Sequence, residues 1–78
     1  MAKSLEQQNY EQALEQIYEA NIRRYIIEEH RTIRHAETCI EFLEGTKDVK
    51  FLPIIKHLRD IIKNADLMIK VYNAKLIK

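Results

Sequence analysis

Gly, Pro and Cys occur only once each in this sequence, and Trp does not occur at all. With one Cys the chain cannot form an internal disulfide, so a reducing compartment is expected. With one Gly it has no glycine-rich loop that could hold a phosphate. Since Gly and Pro are the residues that most often break helices and form turns, their scarcity predicts an all-α fold.

Long apolar runs are also missing, since none exceeds three residues. A membrane-spanning helix needs about 20 apolar residues, and a secretory signal needs an apolar stretch close to Met1. The sequence therefore predicts a cytoplasmic protein that does not cross a membrane. Candidate nucleophiles such as Thr32 and Cys39 have no Gly-bordered elbow beside them. We accordingly predict no catalytic residue, no cofactor and no enzymatic activity.

Residues 4–44 contain neither Gly nor Pro. Ser4 followed by Gln7 fits a capping box, and apolar residues then recur at helical spacing. This pattern predicts a first helix over about 4–44, closed by Gly45 in the left-handed conformation. Within it, one row repeats every seven residues, which is typical of helices that pack side by side. The row consists of Ile26, Ile33 and Ile40.

A second helix is predicted over about 51–77, after a turn at 45–50. Asp48 is a possible cap for this helix, and Pro53 suits its first turn, where a missing N–H is harmless. The two helices predict one helical-hairpin domain that covers residues 1–78.

The second helix has more apolar residues than one neighbouring helix can cover. If the hairpin turns near residue 47, the start of helix 1 extends past the end of helix 2. Both features predict a homodimer, in which two hairpins form an antiparallel four-helix bundle. Residues expected at the dimer or partner interface are Leu5, Tyr10, Leu14, Ile17, Tyr18, Ile54, Ile61 and Met68.

Charge divides the chain into an acidic and a basic half. Residues 1–46 carry five Lys/Arg and nine Asp/Glu, whereas residues 47–78 carry eight Lys/Arg and three Asp/Glu. Pairing between two complementary helices explains this asymmetry, and a basic face that binds RNA or DNA is the alternative. Residues that would form such a face are Lys56, Arg59, Lys63 and Lys70.

One set of side chains could bind zinc. His35 and Cys39 lie four residues apart on one helix face, and a hairpin places His57 nearby; imidazole and thiolate are zinc ligands. The alternative is that Cys39 packs as a small apolar residue. We predict no metal site, and keep these three residues as candidates.

Taken together, these patterns predict a small non-enzymatic protein that acts as a helical dimer. It would bind and modulate a larger protein, as an adaptor, an inhibitor or a co-chaperone does. Binding of RNA or DNA through the basic face of helix 2 is the second hypothesis.

Overall fold

A computed structural model describes residues 4–77 of the chain. Its elements are helix α1 (Leu5–Thr46), a 3₁₀ turn (Val49–Phe51) and helix α2 (Leu52–Leu76). The predicted all-α hairpin of two helices is therefore confirmed. Residues 1–3 and 78, which the predicted domain includes, lie outside the described residues. The molecule measures 68 × 15 × 14 Å, and its radius of gyration is 19.6 Å; a compact chain of this length would have about 11–12 Å.

The amino end of α1 has the predicted cap. The backbone N–H of Gln7 donates to the Ser4 hydroxyl oxygen at 3.2 Å, and the N–H of Gln8 donates to the Ser4 carbonyl at 3.0 Å. The first bond satisfies a donor that has no partner within the helix, and the second is the first i→i−4 hydrogen bond of α1. The first turn also carries Glu6, whose charge suits the helix dipole.

The carboxyl end of α1 differs from the prediction. Gly45 is still helical, and the left-handed residue is Lys47, with φ 56°. Helix α1 therefore ends at Thr46 instead of residue 44. The Thr46 hydroxyl donates to the Leu43 carbonyl at 2.6 Å, and the Lys47 N–H donates to the Glu44 carbonyl at 3.1 Å. These two bonds close the last turn without a glycine at the left-handed position.

Asp48 begins the connection to α2. Its carboxylate accepts a hydrogen bond from the Lys50 N–H at 3.0 Å, and so caps the 3₁₀ turn. Pro53 lies in the first turn of α2, where its missing N–H leaves no helical hydrogen bond unmade.

The two helices meet along one seam, formed by residues that recur at alternating spacings of three and four. On α1 the buried and half-buried seam residues are Glu19, Ile22, Ile26, Glu29, Ile33, Ala36, Ile40 and Leu43. On α2 they are Phe51, Ile55, Leu58, Ile62, Ala65, Ile69, Tyr72 and Leu76. The predicted isoleucine row of α1 lies within this seam, and the carboxylate of Glu29 interrupts it.

This seam makes a small core. Only Ile22, Ala36, Ile55, Ala65 and Ile69 are buried hydrophobic residues among those described. The accessible surface of the chain is 6662 Å², whereas a compact protein of 9.3 kDa exposes about 5,000 Å². A single hairpin thus leaves much apolar surface in water.

Candidate interaction surface

Two side-chain contacts identify the two sides of the hairpin. The Arg59 guanidinium donates to the Glu44 carboxylate at 2.6 Å, and the rings of Tyr25 and Tyr72 lie 5.7 Å apart between centroids. At about 100° per residue, Glu44 and Arg59 project to one side of the seam, and both tyrosines project to the other. We call the first side the charged flank and the second the apolar flank.

On α2, the apolar flank is a row of residues that repeats every seven positions. Ile54 is 48% exposed and Met68 is 38% exposed, and Ile61 between them is half-buried. The row is rotated about 70° from the seam of α2, toward the side of Tyr72. These three predicted interface residues are therefore only partly covered within one chain.

On α1, the flank continues into a segment that α2 does not reach. We call residues 5–18 the arm; every residue in it is exposed. Tyr10, Leu14, Ile17 and Tyr18 are between 48% and 65% exposed. Their mean direction lies about 90° from the seam, on the side of Tyr25.

The arm therefore extends the apolar flank rather than the seam. Leu5, which was also predicted at the interface, is 72% exposed. Its direction at the same helical pitch is toward the charged flank. The hairpin thus places seven of the eight predicted interface residues on one side.

The predicted basic row lies away from the apolar flank. Lys56, Lys63 and Lys70 are exposed on the outer side of α2, and no ion pair within residues 4–77 engages them. Arg59, in contrast, pairs with Glu44, and both side chains are largely exposed. Such a surface pair contributes about 0–1 kcal/mol to stability.

The three candidate zinc ligands do not form a site. Within residues 4–77, no group of three His, Cys, Asp or Glu side chains could hold a metal ion. His35, Cys39 and His57 are each exposed, and each points about 100° or more away from the seam of its own helix. All three project outward on the side of the apolar flank, without converging on one point. Cys39 is exposed, so the expectation that it packs as a small apolar residue was wrong.

The tip of the hairpin carries apolar side chains that the sequence reasoning did not single out. Phe42, Val49 and Leu52 are 73%, 76% and 59% exposed. A shallow pocket at this end has a mixed lining of Leu43, Glu44, Lys47, Asp48, Val49, Leu52 and Ile55. Large apolar residues next to a short polar turn were the signal available in the sequence.

A second, larger crevice lies on α1 and is open to solvent. Its lining consists of Ile27, His30, Arg31, Arg34 and His35. It combines cationic side chains with one isoleucine, and it has no carboxylate or hydroxyl in its lining that could act as a base or nucleophile beside the imidazoles.

Neither helix within the described residues is long and apolar enough to cross a membrane. Comparisons with protein families, curated proteins and solved structures found no match.

Proposed function

We propose that this protein is a non-enzymatic interaction protein of the cytoplasm, which acts as a helical homodimer and binds and modulates a larger protein. The observation that carries the proposal is the uncovered apolar flank. Ile54, Ile61 and Met68 on α2 and the arm of α1 form one apolar side on a hairpin that, within residues 4–77, buries five hydrophobic residues. Apolar surface of this extent on a small protein is typical of interaction sites.

The flank and the tip support two separate contacts. The flank is long and runs along both helices, as a bundle interface does. The tip is short, with Val49 and Leu52 in the lining of a shallow pocket and Phe42 exposed nearby on α1. We assign the flank to the homodimer and the tip to the larger protein, of adaptor, inhibitor or co-chaperone type.

Two glutamate variants test this assignment, with tagged protein used as bait in an extract of the source cell. Leu52→Glu adds a charge at the tip, and Ile61→Glu adds one on the flank. The Leu52→Glu variant should sediment with the mass of the dimer. The amount of partner that it captures should fall at least tenfold. Ile61→Glu should lose the dimer. Lys56→Glu, on the outer side of α2, is the control that should retain both.

The opposite results would overturn the proposal. If the wild-type chain sediments as a monomer at every concentration, the proposed homodimer does not form. If Leu52→Glu captures the partner as well as the wild-type chain does, the tip is not the binding site.

A nucleic-acid-binding dimer is the second candidate function. It is favoured by the unpaired, exposed Lys56, Lys63 and Lys70, which follow one side of α2. Phosphate contacts weaken with salt, with a slope of about 0.9 per neutralised phosphate on duplex DNA. The discriminating test is a gel shift with generic RNA and duplex DNA at low salt. A salt-sensitive shift that Lys63→Gln reduces would favour this function; no shift is expected if the first proposal holds.

A further inference from the structure

We propose that the arm of one chain lies antiparallel on the apolar flank of a second copy, beside that copy's turn, and that the second arm does the same in return. This inference rests on the proposed homodimer and specifies its arrangement. The occupant of the flank is then a second copy of this chain. The tip remains free for another protein.

The lengths of the helices support this arrangement. Two α1 helices that overlap fully have their two-fold axis near residue 25, midway between Leu5 and Thr46. Position 14 of one chain then lies beside about position 37 of the other, and position 10 beside about position 41. The arm therefore lies along residues 33–46 of the second copy, at a level that the α2 helix of the arm's own chain does not reach.

The directions of the side chains support the same antiparallel arrangement as the helix lengths do. Leu14 and its apolar neighbours in the arm project to the same flank as Ile54 and Ile61. In the second copy, those two isoleucines lie beside the turn half of α1. The arm would thus fill the groove between the two helices there. The uncovered part of each chain covers the uncovered part of the other, which leaves three helices at each end and four in the middle.

Charge favours this arrangement over a parallel one. Residues 4–20 contain four Glu and no Lys or Arg, whereas α2 contains five Lys/Arg and two Asp. The antiparallel dimer places each acidic arm near the basic helix of the other copy. A parallel dimer would place the two acidic arms side by side, where like charges repel, and would leave both arms beyond the ends of both α2 helices.

The exposed area is sufficient. The chain exposes 6662 Å², which exceeds the surface of a compact protein of its mass by about 1,700 Å². A standard interface buries about 800 Å² from each partner. The elongated hairpin can therefore form a full interface and still expose its tip.

Cys39 allows a direct test. It is exposed, and it lies on the apolar-flank side of α1. In Leu14→Cys, the two thiols of one chain are about 37 Å apart along α1, at 1.5 Å per residue. A short bifunctional thiol cross-linker cannot span that distance, so a link between positions 14 and 39 must join two chains.

The experiment uses the full-length Leu14→Cys variant and peptide mass spectrometry of the linked dimer. A link from position 14 to Cys39 is the expected result. Gln12→Cys is the matched control, because its side chain projects to the opposite flank at nearly the same level of the arm. It should give at least tenfold less of the link to Cys39.

The outcomes separate the arrangement from the dimer itself. Links between the two position-14 thiols, in a protein that sediments as a dimer, would overturn the antiparallel arrangement and retain the homodimer. A sedimenting dimer that forms no link to Cys39 would also overturn it. Sedimentation as a monomer at all concentrations would contradict both this arrangement and the proposed homodimer.

Discussion

Thr46 and Asp48 hold the chain where α1 ends and the connection begins. The Thr46 hydroxyl donates to the Leu43 carbonyl and also accepts from the Asp48 N–H at 3.3 Å. Lys47 then adopts the left-handed conformation, which costs an L-residue about 1–2 kcal/mol. Gly45 remains helical, where its flexibility destabilises the helix rather than closing it.

Gly45→Ala should therefore stabilise the protein by about 0.5–1 kcal/mol. A Cβ at this position would meet no atom within 4 Å, and the backbone φ is not positive. Urea unfolding followed by circular dichroism at fixed protein concentration measures the change. A clear loss of stability would mean that Gly45 does adopt the left-handed conformation.

The seam offers a second test at this scale, with two isoleucines on opposite sides of α1. Ile22 is 4% exposed and Ile27 is 60% exposed. Ile22→Ala should lower the free energy of unfolding by about 2–5 kcal/mol, because it removes buried methyl groups and leaves a cavity. Ile27→Ala should change it by no more than about 0.5 kcal/mol. The same unfolding assay compares the two variants. Equal losses of stability would mean that Ile22 is not on the packing face of α1.

The arm is the part of α1 that receives the least packing from the rest of its own chain. It carries four apolar residues on one side and no neighbouring helix within the hairpin. A helix of this length is marginal alone in water. Helical continuity with the rest of α1 helps to hold it, and a covering surface on a second chain would hold it further.

Leu14→Glu should weaken the homodimer at least tenfold, because it places a charge on the apolar side of the arm. Sedimentation across a concentration series measures the mass, and capture of the larger partner is followed in parallel. Gln12→Glu adds the same charge to the opposite side, and should leave the dimer unchanged.

Two other results for Leu14→Glu are informative. A retained dimer that no longer captures the partner would assign the arm to the larger protein. A variant unchanged in both respects would show that the arm is a solvated segment, and that function resides in residues 21–78.

At the scale of the whole molecule, shape and core size are the reasons to expect self-association. A chain with extents of 68 × 15 × 14 Å and five buried hydrophobic residues within 4–77 has little interior to offset the conformational entropy lost on folding. A second copy would supply the missing interior. Folding and association would then be one process.

Thermal unfolding should therefore depend on concentration. Each tenfold dilution changes the free energy of a dimer by about 1.4 kcal/mol, which corresponds to about 3–6 °C in Tm for two chains of this size. Differential scanning fluorimetry and circular dichroism over three decades of concentration would measure it. A constant Tm, together with a monomer mass, would mean that the hairpin is stable alone.

The sequence by itself determined the helices, because caps and apolar periodicity act over a few residues. Ser4 and Gln7 identified the start of α1, and the row of Ile26, Ile33 and Ile40 identified its packing face. It did not determine the end of α1, since a glycine near a helix end can be helical or left-handed. The choice depended on the hydrogen bonds of Thr46.

Only the tertiary structure decided which surfaces the two helices share. A pattern on one helix leaves open how that helix is rotated against its neighbour, and packing along the seam sets this rotation. This rotation places the arm and Ile61 on one side, and it directs His35, Cys39 and His57 outward from the seam, where they form no metal site. Residues far apart in the chain thus became one apolar flank, whereas three plausible ligands became separate surface side chains.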